Sequence, residues 1–174
     1  MLSFDIRALG SQAVAVDDVL AVDDPVWEES DPRPAEPVHV KGRLSSAGSG
    51  RFYFSGQLEG RVVGECRRCL TPVTSPVEEG DLHLIFVESD DDEAADDPDV
   101  YLLDPRQAEL DLRPAIREHW LLSAPGYAEC RADCKGLCPT CGADLNAGHC
   151  DCAPTVTDSR WDALRSVKLP GGSE

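Results

Sequence analysis

Between residues 38 and 87 the chain alternates apolar and polar side chains with a period of two, the pattern of strands that bury one face. Val38-His39-Val40-Lys41 and Gly42-Arg43-Leu44 open the pattern. The run Ser45-Ser46-Ala47-Gly48-Ser49-Gly50 predicts a turn. Phe52, Phe54 and Leu58 resume the pattern, with Gly56 marking a bend or a close backbone contact, and Val62 and Val63 follow. Val73 to Val77 is interrupted by Pro76, which cannot donate to a ladder and predicts an edge strand. Leu82 to Val87 is the last strand of this stretch. Ahead of it, Leu2, Phe4, Ile6 and Ala8 alternate and predict a short strand over 2–9, whereas the four prolines of 23–37 predict extended or irregular chain. The expected sheet has four to six strands, small and mostly antiparallel.

The period lengthens after residue 110. Asp111 is placed to cap a helix, and Pro114 is tolerated in its first turn because the first backbone N–H groups there have no intrahelical acceptor. Leu112, Ile116 and either His119 or Trp120 share one face, which predicts a helix that covers the open side of the sheet and ends near Pro125-Gly126. Asp158 predicts the start of a last short helix with Trp161 and Leu164 on one side, closed by Pro170-Gly171. The fold class expected is therefore α+β: a small, mostly antiparallel sheet with a packed helix and a C-terminal zinc-knuckle-like module. Its divisions are a sheet-plus-helix domain over 1–125 with an acidic loop at 88–99, a cysteine-rich module over 126–157, and a short helix and tail over 158–174.

Charge sharpens this division. The 174 residues carry 33 acids against 16 bases, for a formal charge of -17. Residues 1–37 hold 9 acids and 2 bases, and residues 86–111 hold 11 acids and 1 base, so these two segments carry the whole excess. Such a chain does not hold DNA or RNA mainly through a basic surface of its own. The acidic segments either neutralise a basic partner, such as a ribosomal protein, or form a solvated loop that repels itself. The start, Met1-Leu2-Ser3-Phe4-Asp5, has no basic region followed by an apolar run, and no stretch approaches 18 apolar residues. The expectation is a cytoplasmic protein with no membrane partner, in which eight cysteines point to metal rather than to disulfides.

Six of those cysteines, Cys130, Cys134, Cys138, Cys141, Cys150 and Cys152, lie within 23 residues. At their centre Cys138-Pro139-Thr140-Cys141-Gly142 has the shape of a zinc knuckle: the two-residue gap lets both sulfurs reach one metal, and the glycine tolerates the turn that aims backbone N–H groups at thiolate sulfur. Either outer pair, or one cysteine from each, completes a tetrahedron, and spacing alone does not choose. The expectation is one structural zinc per chain; two bridged metals, iron–sulfur ligation, or His149 in place of one thiol are the other arrangements. A surplus of thiolates points to a closed site rather than a catalytic one. Residues 126–157 have few large apolar side chains, chiefly Tyr127, Leu137, Leu145 and Val156. Ordering costs of about 1–2 kcal/mol per residue therefore fall to the metal to offset.

Cys66-Arg67-Arg68-Cys69 stands apart, directly behind a strand. It reads as half of a second metal site completed by spare tail thiols or by another chain, as a redox dithiol, or as two thiols half-buried at a turn. Arg61, Arg67 and Arg68 form the densest positive cluster, able to contact RNA phosphate or a partner, or to pair with the chain's own acids. No phosphate-binding glycine loop, dinucleotide fingerprint, H-E-x-x-H or G-x-S-x-G run occurs. His39, His83, His119 and His149 are scattered, so nothing designates catalytic residues or an enzyme.

Three stretches in order resemble the YceD family, bacterial and plastid proteins linked to accumulation of large-subunit ribosomal RNA. They are Glu65-Cys66-Arg67-Arg68-Cys69-Leu70-Thr71-Pro72, then Leu110-Asp111-Leu112 through Arg117-Glu118 to Leu121–Pro125, then Cys130 through Asn146 with Cys150-Asp151-Cys152. The last is similar to the cysteine-rich tail of Gram-positive and actinobacterial members, and Asp158-Ser159-Arg160 leading to Leu164 resembles the closing segment. Trp120 stands where a smaller or aliphatic side chain is typical, and some relatives look complete without the tail, as for a module grafted onto the sheet domain. The resemblance implies a non-enzymatic cytoplasmic factor for processing or stability of large-subunit ribosomal RNA, with that RNA or a ribosomal or assembly protein as partner.

Overall fold

The computed structural model describes residues 2–10, 12–88, 100–104 and 106–152, together with Arg160 and Asp162. The acidic run over 89–99 lies outside the described residues, as does the expected helix over 158–174 apart from those two positions. Among the described residues the elements are β1 (Ser3–Asp5), α1 (Ile6–Leu9), β2 (Val14–Leu20), β3 (Val38–Gly48), β4 (Arg51–Glu65), β5 (Pro72–Glu88), β6 (Val100–Leu103), β7 (Glu109–Asp111) and α2 (Arg113–Ser123). The main sheet has the order β2-β3-β4-β5-β6, antiparallel except for the parallel β5–β6 pair, and β1 pairs with β7 in a separate two-stranded ladder.

The alternation over 38–87 folds into two long hairpin arms, and its details have local causes. β3 continues through the residues read as a turn, because the reversal itself needs only Ser49 and Gly50, both at positive φ (53° and 70°), with Gly48 facing Arg51. This is the backbone of a tight two-residue hairpin whose twist matches its strands. Ladder pairing between β4 and β5 shifts register between Gly56 and Leu58, which is the bend the glycine announced. Pro76 lies within one continuous strand, β5, that has neighbours on both sides. It is tolerated because β6 pairs only with Ile85–Glu88, so β5 is locally an edge at Pro76. The short strand expected over 2–9 is a three-residue strand followed by one helical turn, started by Asp5, whose side chain accepts the Arg7 N–H at 2.8 Å.

Helix α2 lies where its periodicity placed it. The cap expected at Asp111 falls instead at Leu112, which makes no side-chain cap bond, while Asp111 Oδ1 one position earlier accepts the Arg113 N–H at 3.0 Å; Pro114 falls in the first turn, and Leu112, Ile116 and Trp120 are fully buried. Between the two candidates for the buried face, Trp120 takes the core, and His119 instead faces Glu79 of β5 at 3.0 Å. Ser123 donates to the same carboxylate at 2.8 Å, so α2 is held to β5 at two places.

The proline-rich segment 23–37 forms no long element but closes the core over α2. Trp27 meets Trp120 edge-on, with ring centroids 6.0 Å apart. Both indole N–H groups find backbone carbonyls, Trp27 at Ala21 (2.7 Å) and Trp120 at Pro32 (2.8 Å). In the same segment Asp31, the one charged residue classed as buried among the described residues, accepts both Nε and Nη2 of Arg117 at 2.7 and 2.8 Å. It also accepts the Glu28 N–H at 2.7 Å.

The Arg117 hydrogen bonds, helped by that N–H, hold the Asp31 carboxyl down at about 2, below its ordinary 3.8. A carboxylate with a depressed folded pKa stabilises the fold above the unfolded value and loses that contribution as pH falls through the folded one. Asp31→Asn is therefore expected to cost about 2–3 kcal/mol near pH 7, where it leaves Arg117 without its main partner. The difference from wild type should shrink as pH drops from about 4 to about 2. Urea unfolding at pH 7 and pH 3 measures both quantities, and equal midpoints at pH 7 would refute the assignment.

Candidate metal centres

The eight cysteines fall into two groups of four among the described residues: Cys66, Cys69, Cys130 and Cys134, and Cys138, Cys141, Cys150 and Cys152. Within each group the four sulfurs all lie within 4.8 Å of one another, close enough to share one metal ion. The six tail cysteines thus do not gather at a single centre. Two of them cross to the sheet, and the pair left open by spacing, Cys66 and Cys69, is completed from within the chain.

Backbone hydrogen bonds build both knuckles in the same way. Where β4 ends and β5 begins, the Cys66 N–H donates to the Thr71 carbonyl (2.8 Å) and the Leu70 N–H to the Cys66 carbonyl (2.8 Å). In the tail the Cys138 N–H donates to the Ala143 carbonyl (2.8 Å) and the Gly142 N–H to the Cys138 carbonyl (2.9 Å). The residue after the second cysteine takes the left-handed conformation in both, Gly142 at φ 72° and Leu70 at φ 60°. Glycine accepts this freely, whereas leucine is strained there.

Residues 128–137 are laid against the first knuckle. The Arg67 N–H donates to the Ala128 carbonyl at 2.9 Å and the Leu137 N–H to the Arg68 carbonyl at 3.0 Å. Gly136, at φ 76°, lets the backbones approach, since a Cβ there would come within 2.9 Å of the Arg68 carbonyl oxygen. Arg68 also donates from Nη1 to the Cys134 carbonyl at 2.9 Å. Asn146 ties the module internally: its side chain accepts the Lys135 N–H (2.8 Å) and donates to Cys134 sulfur (3.5 Å).

Electrostatics in both groups favour a cation at the centre. The Cys130 backbone N–H, with those of Arg68 and Cys69, lowers Cys66 to about 6. The Thr71 hydroxyl and N–H lower Cys69 as well. Beside them Cys130 is pushed up to about 12, chiefly by Cys134. The tail repeats this: backbone N–H groups of Cys141 and Thr140 lower Cys138 to about 6, while Cys152 is pushed up to about 12, chiefly by Cys141. Some thiols are thus poised to ionise while their crowded neighbours resist, and a divalent ion among them would relieve that repulsion. Four cysteine sulfurs within reach of one another are a donor set that a soft-ligand metal such as zinc takes.

The arginine cluster is not a free basic face. Arg67 and Arg68 both engage Glu129, Arg67 through Nε at 2.7 Å and Arg68 through Nη2 at 3.3 Å. Arg61 lines a shallow groove with Glu36, His39, Glu59 and Glu78, a setting that disfavours phosphate. His83 meets Asp81 (2.9 Å) and Tyr53 (2.6 Å), and His149, exposed, belongs to neither cysteine group.

A mixed β-sheet whose longest hairpin ends in a cysteine knuckle, joined to a small cysteine-rich tail, defines the class of protein. The chain belongs to the YceD family: the model for "Large ribosomal RNA subunit accumulation protein YceD" matches residues 54–168, a span that contains both knuckles and α2. An uncharacterized protein of Mycobacterium tuberculosis is 33% identical over 131 residues, covering 74% of this chain and 60% of the relative. The maize chloroplast protein named large ribosomal RNA subunit accumulation protein YCED homolog 1 is 28% identical over 177 residues, covering 86% and 59%. The uncharacterized protein YlbN of Bacillus subtilis is 27% identical over 165 residues, covering 94% and 93%. The chain thus spans about three fifths of the mycobacterial and maize relatives. No solved structure matches it significantly.

Proposed function

We propose that this protein supports accumulation of large-subunit ribosomal RNA during ribosome biogenesis, by binding that RNA or a ribosomal or assembly protein and without catalysing a reaction. The family match across 54–168 carries this reading. A non-enzymatic role is supported by the cysteine groups, each of which offers four thiolates and so leaves a bound zinc no open position for substrate. In this reading the protein works in the cytoplasm with a structural zinc in the tail, held by Cys138, Cys141, Cys150 and Cys152. The metal would hold a shape rather than polarise a substrate, while the protein's own side chains make the contacts. The sheet-plus-helix part over 1–125 and the module over 126–157 act as one unit.

One observation favours a protein partner over direct RNA contact. Arg67 and Arg68 share the single carboxylate of Glu129, and Arg61 stands among carboxylates, so the densest cations are partly offset within a chain of charge -17. In this second reading the acidic segments grip a basic protein. Depletion in the host organism tests the shared claim: mature large-subunit RNA should fall relative to small-subunit RNA, and an unchanged ratio would overturn it. Ultraviolet crosslinking in the same cells separates the readings. Crosslinked ribosomal RNA supports direct contact, and its absence beside an intact depletion phenotype supports the adaptor.

A further inference from the structure

We infer that Cys66, Cys69, Cys130 and Cys134 form a second, independent metal centre, a closed zinc tetrathiolate that clamps the cysteine-rich tail onto the end of the sheet. Three observations carry this. The first is the spacing of the sulfurs. Zinc–sulfur bonds of about 2.3 Å in a tetrahedron put neighbouring sulfurs about 3.8 Å apart. Cys66 and Cys134 sulfurs are 3.8 Å apart, and those of Cys69 and Cys130 are 3.6 Å apart. Both distances suit a tetrahedral edge and lie well beyond a disulfide bond.

The second is the backbone. The 66–71 turn reproduces, bond for bond, the turn that holds Cys138 and Cys141. It does so with a leucine at φ 60°, at a position where glycine would be unstrained, and that leucine is 55% exposed. Leu70 therefore gains little from packing to offset the strain, and a metal that fixes the knuckle gives the conformation its reason. The third is burial. Cys66, Cys134 and Cys69 are 0%, 3% and 8% exposed and form a small core of their own with Val73 and Leu137. Cys130, the fourth, is exposed and closes the group at the surface.

This centre has a role that the tail centre cannot have. The tail group draws its ligands from residues 138–152, so its metal closes a short loop. The first group draws two ligands from the β4–β5 hairpin and two from residues 130–134, more than 60 positions away. Its metal constrains the placement of one part on the other and fixes the strand end that carries Arg67 and Arg68. Closing a long loop also removes more freedom from the unfolded chain than closing a short one. The inference concerns metal content and does not depend on the ribosomal reading.

Zinc content and native mass of the full chain, expressed with zinc, test it. Wild type should carry two zinc ions. Cys66→Ser with Cys69→Ser should leave one, and the hydrogen-exchange protection of the Leu70 and Leu137 amides should be lost while that of Gly142 and Leu145 remains. Cys138→Ser with Cys141→Ser should also leave one and show the opposite pattern. Cys130→His keeps a ligand at the clamp, so the protein should fold. Cobalt loaded into it should show the spectrum of one S4 and one S3N site, against two S4 sites in wild type. One zinc in wild type, unaltered by the Cys66 and Cys69 changes, would overturn the inference. So would a metal-free pair linked as a Cys69–Cys130 disulfide, or a cobalt spectrum unmoved by Cys130→His.

Discussion

Changing Cys138 to serine is expected to unfold the tail over 138–152 while leaving the sheet and the clamp at Cys130 and Cys134 intact. Among residues 126–152 no large aliphatic or aromatic side chain is buried; Cys134, Gly136 and Cys138 are, while Leu137 and Leu145 are half-buried and Tyr127 is exposed. Packing this thin does not offset an ordering cost of about 1–2 kcal/mol per residue. A structural zinc supplies about 10–16 kcal/mol of apparent binding energy, which is folding energy for such a segment. Cys138 is also the most buried thiol of its group and the one whose sulfur accepts the Thr140 N–H. Its loss removes a ligand and the turn that presents Cys141. Limited thermolysin digestion reads this directly: the variant should be cut rapidly at Leu145, with the sheet and residues 128–137 still resistant. Chelation of wild type, with the chelator removed before digestion, strips both centres and should add cuts across 128–137. Equal resistance in variant and wild type would contradict the account.

Trp120→Ala is expected to cost about 3–5 kcal/mol, the usual range for deleting a buried aromatic from a core that cannot collapse around the gap. The surroundings are rigid. Gly60 of β4 is the seat of the ring, because a Cβ there would lie 2.8 Å from Trp120 Cζ3. Trp27 packs edge-on against it, and the Pro32 carbonyl loses its indole donor. The sheet makes room for this tryptophan with a glycine directly beneath it. Urea unfolding monitored by far-ultraviolet circular dichroism measures the change. A loss under about 1 kcal/mol would show that 23–37 collapses into the space, so that this segment is not the firm cover described.

What the chain reveals before folding is mostly what depends on neighbours. The period-two run over 38–87, the bend at Gly56, and α2 with Pro114 in its first turn and Leu112 and Ile116 buried are local patterns, and the structure reproduces them, although the helix starts one residue later than a cap at Asp111 would place it. β2 is harder to see because Asp17-Asp18 interrupts the alternation of Val14 and Val16, and its ladder with β3 supplies what the pattern lacks. β7 has three residues and exists only through its pairing with β1. Pro76 reads correctly as an edge residue, but not as part of the longest strand, because the edge arises from where β6 stops.

The site shows the same division. The CxxC pairs are local signals. The partition of eight thiols into two fours is not, because it depends on residues 128–137 reaching the β4–β5 turn through the Arg67–Ala128 and Leu137–Arg68 hydrogen bonds. One signal in the sequence did point that way: the tail has two thiols beyond one tetrahedron, and the sheet segment has two that need partners. The Asp31–Arg117 pair, 86 positions apart, and the capture of Arg67 and Arg68 by Glu129 leave no trace in spacing at all.

The central claim is that this chain is held in its working shape by zinc bound only to sulfur, at the sheet as well as in the tail. Zinc-edge X-ray absorption of the purified full chain tests it most directly, alongside zinc quantitation of the same sample. The account predicts two zinc ions per chain and a first shell of four sulfurs at about 2.3 Å, with no nitrogen or oxygen scatterer. A shell containing nitrogen or oxygen, or a single zinc per chain, would contradict it.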